Sequence, residues 1–351
     1  MARHPSKPGA ARAARNLMYA VLLALLLASA GIFFTHGPFS RDESKSTDIA
    51  PPPDANMNVE VAQVNETAVL LPLARAEIEP NLPQVAPAAP PGPTVEPHPA
   101  AAELIAETTA LASEGAGGII EARNRLNEVL QTPMSPQQRA LVKDRLSELT
   151  DKWLFNRTVL PGDELCGSYR VKPGDALSII GGRHKVPYEI LMQINNISRP
   201  EALQAGETIK VINGPFRATV HRSTFTMDVY LQNTFVSSFP VGLGKPGMET
   251  PTGLWRVKHG GKLIKPNWTN PADGRTYHPQ DPDYPLGSRW IGLEGLSGAA
   301  KDRTGFAIHG TSKPEQIGTA GSQGCIRTHD VDVVLLYNLL FPGSSLVEVV
   351  D

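Results

Sequence analysis

Eight of the residues between 80 and 99 are proline, and a chain carrying such a stretch is not expected to fold as one body. Proline fixes φ and lacks a backbone N–H, so it is excluded from helix interiors and from central strands. The same Pro/Ala-rich character opens at Pro51-Pro52-Pro53, and no apolar period is sustained between 35 and 100. This region reads as a disordered linker. At about 3.1 Å per residue it could extend on the order of 200 Å, enough to let an anchored body work at a distance. A passive linker is the alternative, and shortening it would separate the two. The 351 residues leave room for two or three folded domains around it.

Ahead of the linker, residues 1–16 carry Arg3, Lys7, Arg12 and Arg15 and no acidic residue. Leu17–Phe34 follows without a charge. As a helix rising about 1.5 Å per residue it would measure about 27 Å, enough for a bilayer core. The basic flank predicts a cytoplasmic tail with everything downstream exported. Ala28-Ser29-Ala30 offers a signal-peptide cleavage site as the rival. The apolar run continues through Ile32, Phe33 and Phe34, which favours an uncleaved anchor. Either way the expected location is the cell envelope, outside the cytoplasm. A formal net charge of −2 gives no general electrostatic case for nucleic-acid binding.

Helical periodicity begins near 101. Leu104, Thr108 and Leu111 mark one helix, with Gly115, Gly117 and Gly118 as its break. Ile119, Ala122, Leu126, Val129 and Leu130 mark a second. Ser135-Pro136-Gln137-Gln138 is a capping-box start for a third, whose face is Val142, Leu146, Leu149 and Trp153. This helical segment, 101–155, is expected to act as a spacer or a protein-contact surface.

Residues 168–212 have a β-α-α-β order. Tyr169–Val171 is a strand, Lys172–Asp175 a turn, Ala176–His184 and Pro187–Asn195 helices, and Thr208–Ile212 a strand. With "YRVKPGDALSII", "LMQINN" and "LQAGETIKV", the stretch resembles the LysM domain over its full length. The resemblance implies binding of N-acetylglucosamine-containing glycan, in bacteria the peptidoglycan strand. By position it points to Gly174, Asp175 and Ala176 and to Asn196, Ile197 and Ser198. Gly174 is also what the turn requires, and the Asn195-Asn196 pair could simply end a helix.

Residues 215–351 are strand-rich: Arg217–His221, Thr226–Leu231, Phe235–Val241, Leu254–Lys258, Trp290–Leu293, Phe306–Ile308 and Ser345–Val350, with a helix over Val331–Leu340 capped by Asp330. A mainly antiparallel domain with one late helix is expected. The intervening 259–288 shows no period, and loops of that length are often lids.

This domain holds His309, after a short apolar strand, and Cys325, after the Gly-rich loop 318–324. A thiol with an ordinary pKa of about 8.5 needs a base to become a nucleophile, and an imidazole folded against it can serve. Gly324 lets backbone approach a reacting carbonyl, and the N–H groups of Gly324 and Cys325 are candidates for an oxyanion hole. Arg327 offers a fixed charge to a substrate carboxylate. The other of the two cysteines, Cys166, reads as a small buried apolar residue. His259, His278, His309 and His329 show no zinc-ligand spacing, so no metal and no cofactor is expected.

"TPTG" at 250–253, "PLGSRWIGL" at 285–293, "IHGT" at 308–311, "IG" at 317–318 and "SQGCIR" at 322–327 together resemble the L,D-transpeptidase catalytic domain of YkuD type, in that family's order and spacing. The resemblance implies Cys325 as nucleophile, His309 as general base, the Gly310 carbonyl orienting the imidazole, Arg327 positioning substrate and Ser322 shaping the loop. It implies cleavage of a peptidoglycan stem peptide between its third residue and D-Ala, a thioester intermediate, and 3→3 cross-linking. Water as acceptor would give an L,D-carboxypeptidase, and a protein amine an attaching enzyme. An inactive, glycan-binding wall adaptor is the reading from another class. Gln323 stands where many members have His, which bears on substrate preference.

Overall fold

The computed structural model describes residues 99–112 and 115–351. The tail expected at 1–16, the anchor or signal peptide at 17–34 and most of the linker lie outside them. Among the described residues no helix is long and apolar enough to cross a membrane.

The described residues begin with three helices: α1 (Pro99–Leu111), α2 (Ala116–Val129) and α3 (Pro136–Trp153). The break between α1 and α2 falls at Gly115, whose φ of 95° few other residues adopt. Gly117 and Gly118, expected to extend that break, instead lie in the first turn of α2. The capping box of α3 forms in full: Gln138 N–H donates to Ser135 Oγ, and Ser135 N–H to Gln138 Oε1.

The β-α-α-β unit follows as β1 (Cys166–Arg170), α4 (Leu177–His184), α5 (Tyr188–Asn195) and β2 (Thr208–Ile212), with β1 and β2 antiparallel. Leu177, Ile180, Ile190, Leu191 and Ile209 are buried in its centre. Asn195 does more than end a helix. Its buried amide accepts from Lys210 N–H at 2.7 Å and donates to Lys210 O at 2.8 Å, stitching α5 to β2.

The last domain comprises β3 (Phe216–His221), β4 (Thr226–Leu231), β5 (Thr234–Pro240), β6 (Leu243–Gly244), β7 (Gly253–Ile264), β8 (Trp268–Thr269), β9 (Thr276–Tyr277), β10 (Arg289–Gly295), β11 (Phe306–His309), β12 (Ala320–Ser322), β13 (Ile326–Arg327), α6 (Asp330–Leu339) and β14 (Leu346–Val350). Eight of these strands form one sheet in the order β13-β11-β10-β7-β14-β3-β4-β5. Most neighbours are antiparallel, but β11/β13 and β14/β3 are parallel. The stretch expected to lack structure is partly strand: β7 runs on to Ile264, and β8 and β9 pair as a short hairpin. His329, in extended conformation, occupies the cap of α6. Asp330, expected there, is its first helical residue, and its carboxylate accepts instead from Ser288 N–H at 2.7 Å.

The helical segment is built into the chain on two sides. Strand β5 is a sheet edge, and α2 and α3 cover it: Phe235 N–H donates to Asn127 Oδ1 and Thr150 Oγ donates to Val236 O. Such cover removes an open edge as a site of mispairing. Lys143 of α3 pairs with Asp228 of β4 at 2.6 Å. Towards the β-α-α-β unit, the buried Lys210 ammonium donates to Trp153 O and Thr158 O, and Arg123 pairs with Asp163 at 2.8 Å with both side chains almost wholly buried. Cys166 is buried beside this cluster, and burial pushes its thiol up to about 12.

Burial alone would raise the Asp228 carboxyl, but hydrogen bonds from His221, Lys143 and Ser238 outweigh it and hold the group at about 2. Its stabilising contribution is therefore present above the ordinary carboxylate pKa and is lost as pH falls through about 2. Lys143→Met is expected to cost about 1–3 kcal/mol at neutral pH, because it strips a partner from a buried charge. In thermal melts, the gap between variant and parent should narrow as pH falls from about 4 towards 2.

Candidate active site

The parallel pairing of β13 with β11 sets Ile326 beside Ile308 and Arg327 beside His309. Side chains alternate along a strand, so His309, Ala307, Cys325 and Arg327 belong to one face of the sheet. Trp290 lies opposite His309 across β10, and their rings stack at 5.5 Å with 12° between planes. Cys325 packs with Tyr284, Leu286, Trp290 and Ala307 in a small apolar cluster, to which Trp268 and Tyr277 of the β8–β9 hairpin also belong.

His309 is 4% exposed. A carbonyl can only accept, so its Nδ1 carries the proton of the 2.6 Å bond to Gly310 O. The ring also meets the Leu286 carbonyl. Burial dominates and pushes the imidazole down to about 4, against the two carbonyls and together with the charge of Arg327. The imidazole is thus neutral at pH 7. Gly310 is glycine because a Cβ there would stand 2.4 Å from Asp330 Oδ1 and 3.0 Å from Gly287 Cα.

Cys325 is half-buried. Its Sγ stands 3.9 Å from Gly305 O. Burial raises the thiol, while the Ala307 backbone N–H and the Arg327 charge pull the other way. Among the described residues no hydrogen bond joins Sγ to the imidazole in this conformation; the two groups share a face and approach it from adjacent strands.

The peptide groups before Cys325 are accounted for one by one. Gly244 N–H donates to Thr250 Oγ at 3.1 Å, and Thr250 O–H donates to Gly324 O at 2.9 Å. Gly324 N–H donates to Ser322 Oγ at 3.0 Å, and Ser322 O–H donates to Cys325 O at 2.6 Å. Gly324 N–H, expected as an oxyanion donor, is therefore already engaged. Among the described residues Cys325 N–H has no such partner. Gly324 itself sits at φ 110°, with the Phe306 ring 2.7 Å from where a Cβ would be. Gln323 is exposed.

Two residues of this site were not singled out by sequence reasoning. Thr250 was visible only as part of a motif, with no role attached. Gln316, whose Oε1 accepts from Arg327 Nη1, carried no signal at all, since its function depends on a loop folding back eleven residues later.

The six positions expected to touch glycan divide. Gly174, Ala176, Asn196 and Ser198 are exposed, while Ile197 is buried. Asp175 is committed inside the turn, accepting from Tyr169 O–H, Lys172 N–H and Arg183. Asn196 ends α5 in the left-handed region, at φ 57°. Among the described residues no cluster suited to a metal ion exists.

Residues 215–349 match the family model for the L,D-transpeptidase catalytic domain, and residues 169–211 that for the LysM domain. The Bacillus subtilis protein YqjB, which carries an L,D-transpeptidase name, is 32% identical over 134 residues, 36% of this chain and 67% of that protein. The chain belongs to the L,D-transpeptidase family. B. subtilis YkuD, named likewise, is 29% identical over 186 residues, 51% of this chain and 96% of that protein. A solved L,D-transpeptidase from Mycobacterium smegmatis, 15% identical, overlays 42% of this chain and 64% of that one with a TM-score of 0.29. This member of the family joins a LysM domain to a mostly-sheet catalytic domain.

The relay through Thr250 makes a direct forecast. Thr250→Val leaves the buried Gly324 carbonyl unpaired, at a cost of about 1–3 kcal/mol. The variant should melt several degrees lower and react more slowly with iodoacetamide at Cys325. Peptide mass mapping can read Cys325 separately from Cys166.

Proposed function

We propose that this chain is a peptidoglycan L,D-transpeptidase that uses Cys325 as nucleophile and His309 as general base to form 3→3 cross-links. The observation that carries the proposal is the shared face of β11 and β13. It presents a thiol, a neutral imidazole held by the Gly310 carbonyl, and one uncommitted backbone N–H at Cys325. A neutral imidazole keeps a lone pair on its second nitrogen, as a base requires.

As substrate enters, the Cys325 thiol gives its proton to His309, and the sulfur attacks the carbonyl carbon between the third residue and D-Ala of a stem peptide. Charge developing on the carbonyl oxygen is met by Cys325 N–H. The C–N bond breaks, His309 returns the proton to the departing D-Ala amine, and a thioester remains. The side-chain amine of a third-position diamino acid on another stem then attacks the thioester. His309 takes that amine's proton and passes it to the leaving sulfur. Arg327 meets a substrate carboxylate, and the Trp268/Tyr277 hairpin borders the entry. Water as acceptor in the second half would release a tripeptide, and a protein amine would attach that protein to the wall.

The LysM domain would hold the glycan strand through the exposed Gly174, Ala176, Asn196 and Ser198. Residues 17–34 would anchor the chain, with the Pro/Ala-rich stretch as its tether into the envelope.

The test is muropeptide analysis after incubating residues 35–351 with disaccharide-tetrapeptides. Cross-linked dimer is expected, and Cys325→Ala should abolish it while glycan binding survives. Released tripeptide alone would assign a carboxypeptidase. No product, together with no carbapenem adduct on Cys325 by intact mass, would leave a wall-binding adaptor. Protonation disables the base as pH falls through its value of about 4, so the acid limb of kcat/KM should lie well below the ordinary histidine pKa, near pH 4–5.

A further inference from the structure

Arg327 pairs with His309 across β11 and β13 and follows Cys325 by two residues on the same face, and its charge bears on both groups. It is half-buried, and its one side-chain hydrogen bond among the described residues is the one Nη1 donates to Gln316 Oε1. Gln316 ends a short turn over Pro314–Gln316. Its own backbone is fixed independently of its side chain: Thr319 O–H donates to Gln316 O at 2.9 Å, and Gly318 N–H to Val241 O at 3.0 Å. The Arg327 backbone is also fixed, exchanging hydrogen bonds with Gly242 at 2.8 and 2.9 Å. Both main chains are thus held by other contacts, and the amide–guanidinium bond serves the direction of the arginine side chain.

The chemistry of the partner is informative. A carboxylate here would form an ion pair and neutralise the guanidinium. A neutral amide orients it and leaves both its charge and its remaining N–H donors unspent. Such an arrangement suits a group that must meet a carboxylate from outside and must also favour a thiolate nearby.

We propose that Gln316 is the positioning residue of Arg327, holding its guanidinium at the Cys325 face with its charge free for a substrate carboxylate. The inference rests on the acyl-transfer reading above. Gln316 acts through Arg327 and does not itself touch the reacting atoms.

Four variants test it: Gln316→Ala, Gln316→Glu, Arg327→Ala and the double Gln316→Ala/Arg327→Ala. Two readouts are needed, the pH profile of iodoacetamide alkylation at Cys325 and kcat/KM with disaccharide-tetrapeptide. Gln316→Ala should lower kcat/KM about tenfold, the loss of one oriented charge contact, and the double variant should be no worse than Arg327→Ala alone. Gln316→Glu, nearly the same shape, should move the alkylation midpoint up by about half to one pH unit as the new carboxylate neutralises Arg327. Additive losses in the double variant, or an alkylation profile of Gln316→Glu that overlays the parent, would overturn the proposal. Alkylation needs no peptidoglycan donor, so failure of the acyl-transfer reading would be seen separately, as turnover that persists in Cys325→Ala or as no product from the parent.

Discussion

The parallel pairing of β13 against β11 is the constraint on which the site depends. Two residue pairs, Ile308 with Ile326 and His309 with Arg327, decide which side chains share a face. A slip of one residue would turn Cys325 away from His309, because strand side chains alternate. The pairing is short, so it needs help, and help comes from the other side of β13. Gly242 and Arg327 exchange both backbone hydrogen bonds, and Lys245 N–H donates to Ser322 O. Gly242 is tightly placed, since a Cβ there would come within 2.7 Å of Gln316 O. The position of Cys325 is thus fixed by backbone groups on a neighbouring loop as well as by the strand that follows it.

Much of the architecture was legible in the sequence where local rules act. Strands β2 and β4 follow from apolar alternation and flanking turns, and the α3 start follows from Ser135, Pro136 and Gln138. The misreadings have a common cause. Gly117 and Gly118 look like helix breakers, yet a helix held by tertiary packing accepts them in its first turn. Asp330 is a good cap by type, but Ser288 N–H competes for its carboxylate from 42 residues away. Gly324 N–H looked free because its acceptor, Ser322 Oγ, is revealed only by the loop's curvature. Cys325 and His309 stood out through residue type and motif. Thr250 and Gln316 did not, because a hydroxyl or an amide has no chemistry of its own until the fold gives it a partner.

The segment 101–155 shows the same limit on a larger scale. As a pattern it is three amphipathic helices without a visible partner. In the structure its polar groups reach both neighbours: Lys143 and Thr150 to the sheet, Arg123 and the Trp153 carbonyl to the LysM side. A buried Arg–Asp pair and a buried Lys are costly to desolvate, so they are weak devices for stability. They are good devices for register, since a shifted docking would leave each charge unpaired. Lys262 and Glu189 add a longer contact, at 3.9 Å, directly between the catalytic and LysM domains. A glycan held by one domain would then meet the other in a restricted set of positions.

The electrostatics of the catalytic face follow from the same burial. A thiolate–imidazolium pair in this apolar cluster would need two charges to be desolvated together, whereas a thiol and a neutral imidazole need none. Burial and the charge of Arg327 make protonation of His309 unfavourable, and burial also raises the Cys325 thiol. The resting site is therefore poised uncharged at these two groups, with Arg327 as the fixed charge beside them. A substrate carboxylate docking on Arg327 would remove a field that disfavours imidazolium and favours thiolate alike, so it leaves the proton transfer between the two groups nearly balanced and acts by placing the reacting carbonyl. Under that reading the pair ionises only against bound substrate, and a thiolate is not exposed to water in between.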